Sequence, residues 1–353
     1  MVPRGEGCPL NLALIAPLRM QTTQPSPNPA AAKTAEQFVA GVRERVGKIV
    51  VGQDVVVERV MIALLTGGHL LLQGLPGLAK TLLVNAVAKA IHLDFKRVQF
   101  TVDMLPSDII GSEIIDQKSG EFRIHRGPVF TNLLLADEIN RAAPKVQGAM
   151  LEAMQERKVT IGGQNLKLPT PFLVIATQNP VEQSGTFELP EAQLDRFMLL
   201  HRLGYPARED EQMILQRQLG MGLRREDGGA VPRSAFDMIE DNPGASVEDL
   251  VTAMEAVQAV HVSEVIVKHC VELVRRTRES KLLDFGCSPR AGLALVNASR
   301  ARAVIHGRDF VTPEDLFDLA EDVVLHRIRV SYEASAAGHT GKQVLEGILG
   351  SLG

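Results

Sequence analysis

Residues 69–81 read His69-Leu70-Leu71-Leu72-Gln73-Gly74-Leu75-Pro76-Gly77-Leu78-Ala79-Lys80-Thr81. Three consecutive leucines ending at a turn signal predict a short buried strand. Gly74, Pro76 and Gly77 supply the turn, and residues 80–91 carry helical apolar spacing. Strand, glycine-bearing turn and helix in that order form the setting of a phosphate-binding loop. The backbone N–H groups of such a turn converge on phosphate oxygens, and the positive end of the following helix adds to them. Lys80 is placed to reach the β- and γ-phosphates, and the Thr81 hydroxyl to ligate Mg²⁺. Ala79 stands where a glycine is usual. Alanine keeps the loop slim but has less φ freedom, so the turn is expected to stay in a region alanine tolerates.

Two further apolar stretches end in polar residues. Residues 132–136 run into Asp137-Glu138, and residues 172–177 into Gln178-Asn179-Pro180. Ligands bind at the carboxyl ends of strands in open parallel sheets. If the 132–136 strand neighbours the phosphate-loop strand, Asp137 faces the Mg²⁺ and Glu138 polarises the attacking water. Asn179 can position that water. Arg196 and Arg290 are candidates for stabilising transition-state charge, within one chain or from a neighbouring subunit.

Strand signals at 69–73, 95–101, 132–136, 172–177 and 197–201 alternate with helical ones at 34–48, 53–65, 80–91 and 144–156. That alternation predicts an α/β fold with a parallel sheet between helical layers. Two hairpins interrupt it, 113–116 with 121–125 and 158–161 with 165–168, the second around Gly162-Gly163. After Gly204-Tyr205-Pro206 only helical signals remain, at 208–219, 247–260, 263–279, 289–305 and 313–325. Thr312-Pro313-Glu314-Asp315 is a helix start with proline at the first helical position. The expected organisation is therefore a leader over 1–34, an ATPase-type core over 35–204, an all-helical domain over 205–330 and a tail over 331–353. The leader holds six prolines and few charges and reads as disordered. The tail reads as either a docking segment or a frayed helix.

Composition bounds the partners. The chain has 353 residues, 38 Lys plus Arg, 42 Asp plus Glu and a net charge of −4. Its longest apolar run is six residues, 60–65, far short of the ~20 that a membrane-spanning helix needs. Three cysteines without a CxxC pair indicate a reducing compartment, the cytoplasm, rather than a disulfide framework or zinc site. The acidic balance and the absence of tryptophan argue against nucleic-acid binding.

The ordered segments together resemble one family. Val51-Gly52-Gln53-Asp54, the loop from Gly74, Gln99-Phe100-Thr101-Val102-Asp103 with Pro106-Ser107-Asp108, and Arg126-Gly127-Pro128 come first. Leu135-Ala136-Asp137-Glu138-Ile139-Asn140-Arg141, Leu151-Glu152-Ala153-Met154, Ala176–Pro180, Leu189–Phe197, Gly204–Pro206 and Ser288-Pro289-Arg290 follow. Over residues 36–330 the chain resembles the MoxR family of AAA+ ATPases, in which the alanine at position 79 is ordinary. The resemblance implies an AAA+ P-loop αβα core with a helical lid, and hydrolysis of ATP with Mg²⁺. Lys80 and Thr81 become the Walker A pair, Asp137 and Glu138 the Walker B pair, Asn179 sensor 1 and Arg290 sensor 2, touching the γ-phosphate from the lid. Arg196 becomes the finger reaching the next subunit's ATP, with Arg141 a second candidate for that contact. Val51, Gly52 and Gln53 border the adenine, and Gly74, Leu75, Pro76, Gly77, Leu78, Ala79, Lys80, Thr81 and Leu82 hold the phosphates. The first hairpin becomes the helix-2 insert and the second the pre-sensor-1 hairpin. A ring hexamer, a client protein and a partner with a von Willebrand A domain are implied. The implied work is chaperone-like remodelling, complex assembly or metal-cofactor insertion. A metal-chelatase ATPase subunit and a nucleic-acid-associated regulator are the alternative readings.

Overall fold

A computed structural model of the protein describes residues 29–118, 120–180, 185–226, 229–238 and 244–352. Helix α1 (Pro29–Ile49) and helix α2 (Asp54–Thr66) precede the first strand, β1 (Leu70–Gln73), which feeds helix α3 (Lys80–Ala90). Strand β2 (Phe95–Gln99), the short helix α4 (Pro106–Ile110) and the hairpin β3 (Gly111–Ile115) with β4 (Phe122–Arg126) follow. Strand β5 (Leu133–Asp137) leads to helix α5 (Pro144–Glu156), and a second hairpin joins β6 (Lys158–Ile161) to β7 (Gln164–Lys167). Strand β8 (Leu173–Gln178), the single turn α6 (Glu191–Leu194) and strand β9 (Leu199–Arg202) complete the core.

The five sheet strands lie in the order β2-β5-β8-β1-β9, all parallel. The edge strand β2 exposes Lys96, Arg97 and Gln99, but in β1, β5 and β8 the side chains alternate between two buried faces. Leu70, Leu72, Leu133, Leu135 and Ile175 join one apolar cluster with α2 and α3. Leu71, Leu134, Val174 and Ala176 join another with Met150, Leu151 and Met154 of α5. Burial on both sides is why these strands read as unbroken apolar runs. One expectation is corrected: β5 does not neighbour β1, because β8 lies between them.

The second domain holds α7 (Arg208–Gly220), the hairpin β10 (Leu223–Glu226) with β11 (Gly229–Pro232), and helices α8 (Val247–Ala259) and α9 (Glu264–Glu279). Strand β12 (Leu283–Phe285), helices α10 (Pro289–Ile305) and α11 (Pro313–Val324) and strand β13 (Arg329–Val330) come next, before α12 (Tyr332–Ala336) and α13 (Gly341–Gly350). The domain is helical with two small antiparallel ladders, so the expectation of helices alone needs that amendment. The tail does not fray. Thr340 caps α13 with a capping box, and Val344, Leu345 and Ile348 are buried where α13 packs on α9 and α11. At the other end, the expected leader lies outside the described residues through 28, and helix α1 already begins at Pro29. Proline at a first helical turn and the alanines after it favour that start.

Helix α1 packs on α8 and on α3, burying Ala35, Phe38, Val39, Val42 and Val46. Helix α2 packs on α10, and the buried Arg59 of α2 donates to Asp322 of α11 at 2.5 Å. These contacts fix the helical domain over one side of the sheet.

Candidate active site

Parallel pairing brings the ends of β1, β8 and β5 side by side. Gln73 is in register with Gln178, and the Gly74 N–H donates to the Gln178 carbonyl at 3.2 Å. The phosphate loop is thus pinned to the end of β8. Gly77 has φ 87° and open space where a Cβ would stand. Ala79 has φ 53°, so the loop does enter the left-handed region that the sequence reading expected it to avoid. An L-residue there costs about 1 kcal/mol. Such strain persists where the surrounding structure fixes the backbone, here between the β1 turn and the first turn of α3.

Lys80 is half-buried, and its Nζ donates to the Gly74 carbonyl at 2.8 Å. Burial lowers the affinity of its amine for a proton, while Asp137 and Glu138 oppose that shift. Both carboxylates therefore act on the same ammonium group as the loop. Asp137 is buried. Its Oδ1 accepts from the Thr177 hydroxyl at 2.5 Å, and its Oδ2 accepts from Arg97 Nη2 at 2.7 Å and Nε at 3.1 Å. Glu138 has φ 56°, and its N–H donates to the same Thr177 hydroxyl at 2.8 Å. Its Oε2 accepts from Gln99 Nε2 at 2.7 Å and from Arg141 Nε at 2.9 Å. Asn179 is buried at the end of β8, between the other two strands.

Thr177 and Gln99 stand inside the motifs that carry the resemblance but had no role assigned, and Arg97 was not singled out. Gln99 is in register with Asp137, so a polar residue ending β2 was the available signal. Arg141, placed against Glu138, belongs to this end of the sheet.

The donor set fits Mg-nucleotide. Thr81 and Asp137 offer hard oxygen ligands, Lys80 offers a cation that donates to a backbone carbonyl, and the loop has room at Gly77. No three His, Cys, Asp or Glu side chains gather into a metal cage among the described residues. Magnesium held here would draw its remaining ligands from phosphate oxygens and water, as that ion commonly does. Val51, Gly52 and Gln53 lie just before α2, which runs back to the start of β1; they are therefore at the loop's end of the sheet. The Asp210 carboxylate of α7 lies against Gly52, and Arg217 donates to the Lys48 carbonyl at 2.9 Å.

The two remaining arginines are elsewhere. Arg196 precedes β9 and Arg290 opens α10, and both line a cavity of about 350 Å³ with Thr66, Gly67, Gly68 and His69. Those four residues lead into β1, whereas the loop follows it. The strand's four residues, at ~3.3 Å each, separate the two places by more than ~10 Å. Arg290 Nη1 stands 3.8 Å from Asp195, and Arg196 donates to the Leu151 carbonyl at 3.0 Å. The expected contact of Arg290 with its own subunit's γ-phosphate is therefore not what this arrangement provides. Helix α10 starts beside Asp195, to which Ser288 donates at 2.9 Å, and this anchors Arg290 at the far end.

Strand order, loop and acidic strand ends define a P-loop ATPase of the AAA class. The model of the ATPase family associated with various cellular activities (AAA) matches residues 69–199, and an AAA lid domain matches residues 275–348. Chaperone MoxR1 of Mycobacterium tuberculosis is 43% identical over 300 residues, 82% of this chain and 75% of that protein. MoxR of Methylorubrum extorquens is 32% identical over 80% of this chain and 85% of its own. A solved structure of a candidate ATPase from Cytophaga hutchinsonii superposes with a TM-score of 0.81 at 42% identity, covering 91% of this chain and 96% of that one. The chain belongs to the MoxR family of AAA+ ATPases.

Proposed function

We propose that this protein binds and hydrolyses Mg-ATP at sites shared between neighbouring copies in a six-membered ring, and that turnover drives remodelling of a client protein. The observation carrying this reading is the division of labour along β1. The phosphate loop and the acids Asp137 and Glu138 lie at one end, and Arg196 and Arg290 at the other. One copy cannot bring both ends to a single nucleotide, but adjacent copies can.

Bound ATP supplies the phosphorus to be attacked, with Mg²⁺ neutralising its oxygens. Lys80 turns from the Gly74 carbonyl to the phosphates, and Thr81 and Asp137 would hold the metal. The Thr177 hydroxyl fixes the Asp137 carboxylate. Glu138, released from Gln99 and Arg141, takes the proton of the attacking water, and Asn179 orients that water. Arg196 and Arg290 of the next copy stabilise the charge of the transition state. The chaperone name of the mycobacterial relative supports a protein client. So do Ile114, Ile115 and Phe122 of the β3–β4 hairpin, which are 48%, 58% and 66% exposed. An adaptor with a von Willebrand A domain fits the same reading, and a nucleic-acid partner does not.

Mixing experiments test it. Lys80→Ala is expected to abolish ATP binding, and Glu138→Gln to keep binding but stop turnover. Arg196→Ala alone is expected to lose ~10³-fold or more in turnover, as arginine fingers do, and to regain turnover when mixed with Glu138→Gln copies. No recovery at any mixing ratio, or full turnover by monomers in sedimentation, would refute the shared site.

A further inference from the structure

A third arginine faces the cavity lined by Arg196 and Arg290. Arg157 directly follows α5, and its backbone is left-handed, with φ 50°. Glycine or asparagine is the usual residue at such a helix end, because a larger side chain costs about 1 kcal/mol there. Local contacts offer little in return. The side chain is exposed, and Nη2 donates to the Gly67 carbonyl at 3.2 Å. No carboxylate among the described residues pairs with Arg157 or Arg196.

The cavity walls carry four guanidinium groups, those of Arg157, Arg196, Arg290 and Arg327, and one carboxylate, Asp195. Arg327 already takes that carboxylate at 2.8 Å. The charge of Arg157 also reaches the buried His69 on the same wall, where it adds to the effect of burial in keeping that ring neutral. Several planar forks around one open cavity suit an anion whose charge is spread over many oxygens. At the phosphate loop's own end, Arg97 and Arg141 are bound to Asp137 and Glu138 and Arg202 to Gln73, while Lys80 faces the loop.

We propose that Arg157 is a third phosphate-contacting arginine, presented with Arg196 and Arg290 to the triphosphate held in the next copy's loop. The proposal rests on the shared-site reading above.

Arg157→Asn is the informative variant, because asparagine tolerates the left-handed backbone and removes the guanidinium with most of its stem, at the cost of one exposed hydrogen bond to Gly67. Its melting temperature and the ATP affinity of its single copies are expected to match wild type. Turnover is expected to fall about tenfold or more, and Arg157→Lys to recover only part of it, since lysine offers a point charge without the fork. Lys80→Ala copies bind no ATP but carry intact arginines, so mixing them in restores turnover at the Arg157→Asn loops. In a Glu138→Gln background, a fluorescent ATP analogue is expected to leave assemblies carrying Arg157→Asn about tenfold faster.

Wild-type turnover and release rate in Arg157→Asn would overturn the proposal. So would a loss that Lys80→Ala copies do not restore while they do restore Arg196→Ala, an outcome that leaves the shared site standing. Restoration of neither variant would overturn both. Binding of inorganic phosphate to isolated Lys80→Ala copies, lost on adding Arg157→Asn, would make the cavity an anion site of the single copy and likewise overturn the proposal.

Discussion

His69 immediately precedes the strand on which everything else is hung, and its ring is fully committed. Nε2 donates to the Met154 carbonyl at 3.2 Å, and Nδ1 accepts from the Val174 N–H at 3.0 Å. Burial, with Arg157 nearby, holds its pKa down to about 4. The unfolded chain binds a proton there near the ordinary value of ~6.5, whereas the native ring resists one. The stabilisation is therefore complete above pH ~6.5 and is lost as pH falls towards 4. Melting curves of wild type are expected to fall between pH 7 and 5 more steeply than those of His69→Gln, whose amide can keep both hydrogen bonds without titrating. Equal slopes would remove this residue from the account. Burial also pushes the Cys270 and Cys287 thiols up, to about 12 and about 11. Both are expected to resist alkylation in the native state at pH 8, by mass spectrometry of the labelled protein. At this scale the sequence was partly legible. Lys80, Thr81, Asp137 and Glu138 follow from strand ends and loop spacing. Arg97 and Gln99 do not, because their roles depend on which strand lies beside β5.

Elements were legible where they were long and periodic. The strands β1, β5 and β8 are apolar up to their polar carboxyl ends because both faces are covered, and α5, α9 and α10 follow the expected ranges closely. The ladders missed were short or highly charged. Strand β10 is Leu-Arg-Arg-Glu, with no apolar alternation to read, and β12 and β13 span three and two residues. The start of α11 shows a helix cap doing more than local work. Asp315 is fully buried, accepts from the Thr312 N–H, and receives Arg302 at 2.7 Å and Arg308 at 2.6 Å. Burial alone would raise its pKa, but the hydrogen bonds from Arg308, the Thr312 backbone and Arg302 outweigh it, and the net shift is downward. Asp315→Ala is expected to lose about 2–3 kcal/mol in urea unfolding, since two partly buried cations lose the buried carboxylate they share. In the β3–β4 hairpin, serine at Ile115 and Phe122 is expected to leave the melting temperature within ~2 °C. The same pair of changes should reduce capture of a chemically unfolded model protein; unchanged capture would take the client surface away from this hairpin.

The whole molecule is a core and a helical domain stapled by their first and last segments. Arg59 reaches Asp322 across that boundary, and Asp322 also meets His201 of β9 at 2.9 Å. Helix α1 lies between α3 of the core and α8 of the helical domain. A chain beginning at Gly52 is expected to keep the sheet but to be cut faster by protease around 204–206, where Tyr205 is 73% exposed. Unchanged cleavage would show that α2 and α11 hold the domains without α1. The position of α1 also sets a timetable for synthesis. It is the first described helix to leave the ribosome, yet α8, which covers part of its apolar face, ends only at Ala259. At ~5–20 residues per second, those apolar side chains wait about 10–40 s for their cover. The nascent chain therefore carries an exposed sticky helix for most of its translation, and its yield should depend on the chaperones that meet it there.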